Sequence, residues 1–236
     1  MPPQVFENRV AVVTGASSGI GRATAELLAA RGARVAVFAR SEEKLRDLAA
    51  RHEGRMLVVA GDVAQADAVD KLFDQCEAQF GECDVLVNNA GMIDPKLMID
   101  TTPAEWDRMF AVNVRGAYLA ARRALRPMMA RRSGAIINVA SISGVVGPEK
   151  FPRFVSYDAS KAAVIAMTDA LAVEVKSYGI RVNCVSPGAV DTKMWDQASG
   201  GAPADMTPEE IAEVILFLAS NQSRPMNGQN VDVYSA

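Results

Sequence analysis

The stretch Thr14-Gly15-Ala16-Ser17-Ser18-Gly19-Ile20-Gly21 follows the apolar run Val10 to Val13 and leads into Ala23 to Ala30, which reads as helix. A glycine-rich turn between a strand and a helix lets backbone approach a phosphate at the positive end of that helix. The glycines are spaced G-x-x-x-G-x-G, unlike the commoner G-x-G-x-x-G dinucleotide fingerprint. Glycines also end strands for steric reasons alone, so the turn takes its meaning from its surroundings.

Outward from that turn, strands and helices alternate to the end of the chain. Arg9 to Thr14 predicts a strand buried on both faces, and Gly19 to Arg31 a helix stopped at Gly32. Ala33 to Ala39 follows as a strand, then a charged helix capped by Ser41. Arg55 to Ala60 is the third strand, 66–80 a helix, and Asp84 to Val87 the fourth strand. Pro103 to Arg131 predicts one long helix, capped by Thr102 and bent near its end by Pro127. Ala135 to Val139 and Ile180 to Val185 are strands on either side of a helix over 155–177. Residues 196–206 read as a mobile loop, Thr207 and Glu210 as a capping box, and Val231 to Tyr234 as a last strand. The pattern requires right-handed crossovers and a parallel sheet covered on both faces: an α/β, doubly wound, Rossmann-type three-layer fold. A single domain over 1–236 is expected. Ligands of such sheets bind at the carboxyl ends of the strands, where the strand order reverses, and every motif below falls there.

Composition narrows the function. Of 236 residues, half are hydrophobic and 22% charged, with a net charge of −3, which gives no pull toward nucleic acid or an anionic membrane. Cys76, Cys83 and Cys184 have no metal-type spacing, and His52 is the only histidine. Neither a histidine metal site nor a Ser-His-Asp triad can therefore be assembled. With no apolar run of membrane-spanning length and no signal-peptide pattern, a cytoplasmic enzyme without a metal is the expectation.

Three positions carry chemistry. The second strand ends Phe38-Ala39-Arg40-Ser41, where NAD sites commonly place a carboxylate for the ribose 2′-hydroxyl. Ala39 supplies none, while Arg40 offers a guanidinium suited to a 2′-phosphate, which favours NADP(H) over NAD(H). In Tyr157-Asp158-Ala159-Ser160-Lys161, the tyrosine and lysine are four apart and share a helix face. A neighbouring ammonium favours phenolate, so Tyr157 could exchange a proton with an alcohol or alkoxide. The fifth strand ends at Ser141, whose hydroxyl could donate to a substrate oxygen or satisfy nearby backbone.

Taken with Asn88-Asn89-Ala90-Gly91, Asn113 and Pro187-Gly188, these motifs resemble the classical short-chain dehydrogenases/reductases, in order, from about Arg9 to Val233. The resemblance implies a seven-stranded parallel sheet and a tetrad of Asn113, Ser141, Tyr157 and Lys161. Tyr157 would be the acid/base and Ser141 would polarise the carbonyl. Lys161 would lower the tyrosine pKa and hold the nicotinamide ribose, and Asn113 would anchor a relay water. Gly15, Ser17, Ser18, Gly19, Ile20, Gly21, Arg40 and Ser41 would hold the phosphates and ribose, and Asp62 and Val63 the adenine. Asn89, Ala90, Gly91, Pro187, Gly188, Val190 and Thr192 would line the rest of the cofactor cleft. A homodimer or homotetramer, built through the two long helices and the last strand, is implied as well.

The chain departs from the family pattern in places. Ser18 stands where many NADPH-using relatives carry a basic residue, leaving Arg40 nearly alone in that inference. Ser141 precedes Tyr157 by sixteen residues, a few more than usual; the surplus is Pro148 to Phe154, and Ser143 remains a less favoured alternative. The substrate lid over 192–206 is short, and the glycine pair common after the last strand is missing. Met92, Ile93, Val145, Val146, Phe151, Phe154, Met194 and Trp195 are expected to wall the mouth, with Ser141, Val145, Tyr157, Met194 and Trp195 touching the substrate. An apolar mouth suits a hydrophobic ketone or secondary alcohol. A 3-oxoacyl-carrier reductase, a nucleotide-sensing protein without catalysis and a supporting structural subunit are the competing readings. The intact Tyr157 and Lys161 speak against the last two.

Overall fold

The computed structural model describes residues 5–148 and 150–234. Seven strands form one parallel sheet: β1 (Val10–Thr14), β2 (Arg34–Ala39), β3 (Met56–Ala60), β4 (Val85–Asn88), β5 (Gly134–Val139), β6 (Ile180–Pro187) and β7 (Asn230–Val233). Their order is β3-β2-β1-β4-β5-β6-β7, every neighbouring pair parallel. The connections reverse direction between β1 and β4, so a crevice opens beyond the ends of these two strands.

Alternation along β1 shows why its sequence is apolar throughout. Ala11 and Val13 join one core with Leu28 of α1 (Gly19–Ala30), Leu45 of α2 (Glu42–Ala49) and Ile211 of α8 (Pro208–Ala219). Val10 and Val12 point the other way. They join Leu72 and Phe73 of α3 (Ala66–Phe80), Ala120 and Ala124 of α5 (Gly116–Arg131), and Ala172 of α6 (Val155–Val175). Burying both faces leaves no polar position in the middle of the strand.

The structure departs from the sequence expectations at three places. The long helix is two: α4 (Pro103–Phe110) and α5, joined by a π-turn over Ala111–Arg115. Thr102 is the expected cap and makes a capping box with Glu105, as Thr207 does with Glu210, and Pro127 lies inside α5, which continues to Arg131. The irregularity sits at Asn113, and a single π-turn inside a helix re-aims the side chains it carries. Ser41 occupies the N-cap position of α2 in extended conformation but makes no side-chain cap bond. Within 196–206, the first residues continue a helix, α7 (Lys193–Ser199), capped by the Thr192 hydroxyl, which accepts from Trp195 N–H. That segment is tied down: the Trp195 indole donates to Ala202 O at 2.8 Å, and Asp191 N–H donates to Met206 O at 2.8 Å. Glu149 and the last two residues lie outside the described residues.

Candidate active site

The crevice between β1 and β4 is closed by one hydroxyl. Thr14, fully buried at the end of β1, donates to Val87 O and accepts from the backbone N–H groups of Asn89 and Ala90, both at 3.1 Å. The Asn89 amide donates to Thr14 O and Gly15 O at 3.0 and 3.2 Å. This stitching brings the glycine turn against Asn89-Ala90 so closely that no side chain fits. A Cβ on Gly15 would sit 2.8 Å from Ala90 Cα, and its φ is +69°. A Cβ on Gly21 would run into the Asn89 amide and Gly15 O. Those two glycines are therefore required by packing, and Gly21 stands behind the cleft rather than in its wall.

A cleft of about 1030 Å³ runs from the end of β2 across the glycine turn to the lid. Gly15, Ser17, Ser18, Gly19 and Ile20 line it at the N-terminus of α1, whose first turn carries no acidic residue to neutralise the helix dipole. Arg40, Ser41, Asp62 and Val63 line one end. Asn89, Ala90, Gly91, Pro187, Gly188, Val190 and Thr192 continue the wall toward Ser141, Tyr157 and Lys161. An elongated dinucleotide with its pyrophosphate at the α1 N-terminus fits this channel, since the first N–H groups of a helix have no intrahelical acceptor and Gly19 brings no Cβ there.

The sequence did not disclose two cations at the adenosine end. Lys44 lines it from α2, and Arg108 lines it from α4. Arg108 donates to Asp62 Oδ2 at 2.7 Å, while Asp62 Oδ1 accepts from Ala64 N–H at 3.0 Å. Burial alone would raise the Asp62 pKa, but these hydrogen bonds and the nearby Arg108 and Arg40 charges hold it below its usual value. Arg108 lies on α4 and Asp62 in the loop between β3 and α3, and no local motif announces their meeting.

At the other end, Tyr157 and Lys161 emerge from α6, and Ser141 opens a 3-10 turn, Ile142–Gly144, after β5. The Lys161 ammonium lies 5.7 Å from the Tyr157 ring centre and donates to Val139 O at 2.9 Å. Burial lowers the Lys161 pKa to about 8, which still leaves it mostly charged at neutral pH. The tyrosine does not follow the expected direction. Burial pushes the Tyr157 hydroxyl up to about 12, a hydrogen bond with Ser141 pulls it down, and the Asp158 charge raises it further. Desolvation outweighs the Ser141 hydrogen bond in this state, which keeps Tyr157 protonated.

Asn113 is 2% exposed and lies behind the cleft. Its Oδ1 accepts from Met92 N–H at 2.8 Å, and its Nδ2 donates to Met92 O at 3.0 Å and Ser160 Oγ at 2.9 Å. The π-turn thus aims an amide that clamps the backbone beyond Gly91 to the helix carrying Tyr157.

The mouth is apolar, as expected, but not wholly from the expected residues. Met92, Ile93, Phe151, Phe154, Met194 and Trp195 line it, and Phe154 packs edge-on to Tyr157 with ring centres 6.1 Å apart. Val145 and Val146 do not line the cleft: the 3-10 turn carries the chain outward after Ser143, and Val146 is 96% exposed. Ile142 and Ser143 take their place in the wall. Among the described residues no cluster of three or more His, Cys, Asp or Glu could hold a metal ion, and no helix is long and apolar enough to cross a membrane.

A doubly wound parallel sheet with a phosphate-ready turn at its switch point, and a tyrosine and lysine at the far end of the same cleft, defines a dinucleotide-dependent oxidoreductase. The chain belongs to the short-chain dehydrogenase family, whose model matches residues 9–202. Its members are NAD(P)-dependent oxidoreductases acting on CH–OH and C=O groups. It is 44% identical to a cis-4-hydroxycyclohexanecarboxylate dehydrogenase of Sinomonas cyclohexanicum, over 92% of each chain. It is 38% identical to a 3-oxoacyl-[acyl-carrier-protein] reductase of Chlamydia muridarum, over 96% of each. Its fold is similar to the crystal structure of 3-ketoacyl-(acyl-carrier-protein) reductase from Brucella melitensis complexed with NADH. That similarity has a TM-score of 0.89 at 32% identity and covers 97% of both chains.

Proposed function

We propose that this protein is an NADP(H)-dependent carbonyl reductase or alcohol dehydrogenase in which Tyr157 is the acid/base. The observation that carries this reading is the convergence of Ser141, Tyr157 and Lys161 at one end of a cleft whose other end presents Arg40 and Lys44, with Ala39 where a ribose-binding carboxylate would stand. When bound, the nicotinamide supplies or accepts the hydride. The chain itself handles the proton and the oxygen. In reduction, Tyr157 Oη gives its proton to the carbonyl oxygen while the Ser141 hydroxyl donates to that same atom. In oxidation Tyr157 Oη takes the alcohol proton, and the buried Lys161 charge stabilises the phenolate that must precede it. Asn113 holds the wall beside them and anchors the relay water. Gly15, Ser17, Ser18, Gly19 and Ile20 carry the pyrophosphate, Arg40 and Ser41 the ribose phosphate, and Asp62 and Val63 the adenine.

The substrate is a hydrophobic ketone or secondary alcohol. The apolar mouth and the likeness to a hydroxycyclohexanecarboxylate dehydrogenase favour a saturated ring bearing a carboxylate, with Lys193 at the rim as the available cation. A 3-oxoacyl-carrier reductase is the second reading, supported by the 38% identical relative. The chain acts as a single cytoplasmic domain. It assembles as a homodimer or homotetramer, for which the exposed Tyr118, Val173 and Phe217 supply apolar surface on the long helices and α8.

A panel of cyclic keto acids, simple ketones and a 3-oxoacyl thioester, assayed separately with NADPH and NADH, tests this. The cyclic keto acids should lead, with NADPH preferred over NADH by at least about tenfold in kcat/KM. Preference for NADH would overturn the cofactor assignment, and no turnover of any carbonyl would overturn the reaction class.

A further inference from the structure

The surplus segment between Ser141 and Tyr157 reaches back toward the chemistry. The Lys150 ammonium donates to the carbonyl oxygens of Ser143 at 2.7 Å and Val145 at 2.5 Å, with Ile142 O at 3.4 Å. These carbonyls close the 3-10 turn that Ser141 opens. A short turn cannot satisfy its own last carbonyls, and an ammonium has three donors for them. The Lys150 charge also acts on the Asp158 carboxylate of α6. Asp158 Oδ1 is buried with no hydrogen-bond partner among the described residues. Burial raises the Asp158 pKa, and Lys150 and the Ser143 hydroxyl draw it back, so the charge beside Tyr157 depends on Lys150.

We propose that Lys150 is a positioning residue for proton transfer: it fastens the turn that Ser141 opens and offsets the Asp158 carboxylate beside Tyr157. This rests on the reading of Tyr157 as acid/base and Ser141 as its partner. The charged and titratable groups around the tyrosine are Asp158 and Lys161 of its own helix and Lys150 of the strap. Cys184 of β6 faces Lys161, and Lys193 of α7 lies at the rim. Among these, only Lys150 bonds to the carbonyls of the Ser141 turn while its charge acts on the carboxylate.

The test compares Lys150→Met, Lys150→Arg, Asp158→Asn and the Lys150→Met/Asp158→Asn pair. Lys150→Met should lower kcat about tenfold while leaving the NADPH Kd, read by fluorescence titration, within about twofold. Freed of its offset, Asp158 should move the Tyr157 limb of the oxidative pH–rate profile to higher pH by roughly half a unit. Asp158→Asn should move that limb the other way, and in the pair it should return the limb toward wild type. Lys150→Arg should keep most of the activity. A Lys150→Met enzyme with wild-type kcat and pH limb overturns the proposal. So does a kcat loss with an unmoved limb that arginine does not rescue, which would make Lys150 only a loop fastener. Retained turnover in Tyr157→Phe would instead sink the reading beneath it.

Discussion

Replacing Asn113 by alanine should cost stability and activity together, by an amount the hydrogen bonds set. The amide engages Met92 through both its N–H, at 2.8 Å, and its C=O, at 3.0 Å. Both backbone groups would lose their partner in a half-buried setting, at about 1 kcal/mol each, the low end for a stranded polar group. Ser160 Oγ, fully buried, would lose its donor but keep its own bond to Tyr157 O at 2.7 Å, adding a fraction more. The sum is about 2–3 kcal/mol, which for a chain of this size lowers the thermal midpoint by roughly 5–10 °C. The same change frees the backbone beyond Gly91, part of the cofactor wall, so NADPH should bind more weakly and kcat fall. Scanning fluorimetry with and without NADPH reads both effects. A midpoint within about 1 °C of wild type would refute the clamp as a stabilising element. Normal stability with lost turnover would assign Asn113 to the chemistry alone.

Two further outcomes follow from the charges. Arg40→Asp should weaken NADPH by roughly ten- to a hundredfold, as expected for one charge-assisted hydrogen bond, and NADH far less; equal effects on both cofactors by titration would remove Arg40 from the 2′-phosphate. Lys161, lowered from 10.5 to about 8 by burial, binds fewer protons folded than unfolded between those values, so the folded state carries a cost below pH 8 that is relieved as pH rises toward 10.5. Lys161→Met should therefore gain least, or lose most, relative to wild type at pH 10 compared with pH 7, and a midpoint difference that stays constant with pH would contradict the burial.

The glycine turn, the alternating elements and the ends of the strands were legible because they obey local rules. A buried parallel strand must be apolar, and a backbone that approaches Asn89 and Ala90 within contact distance must be glycine at position 15. Tyr157 and Lys161 were legible from their spacing on one helix face. What stayed hidden depends on tertiary placement. The π-turn at Asn113 has no glycine or proline at its centre to announce it, so the division of the long helix into two stayed hidden. The helix that Thr192 caps runs to Ser199, into the stretch 196–206 that composition marks as a loop, where Gly200 and Gly201 follow directly on it. Val145 lost its place in the wall to Ile142 and Ser143 because a three-residue turn redirected the chain. Arg108 meets Asp62 across 46 residues of sequence, and Tyr157 is held protonated by burial that only the folded surroundings supply.

The central claim is that Tyr157 moves the proton, and Tyr157→Phe isolates it, since only one hydroxyl is removed from a ring that packs against Phe154. With the best substrate of the panel and saturating NADPH, single-turnover kcat should fall by about 10²–10⁴-fold while NADPH affinity stays within about threefold. A phenylalanine enzyme that turns over within tenfold of wild type would contradict the account.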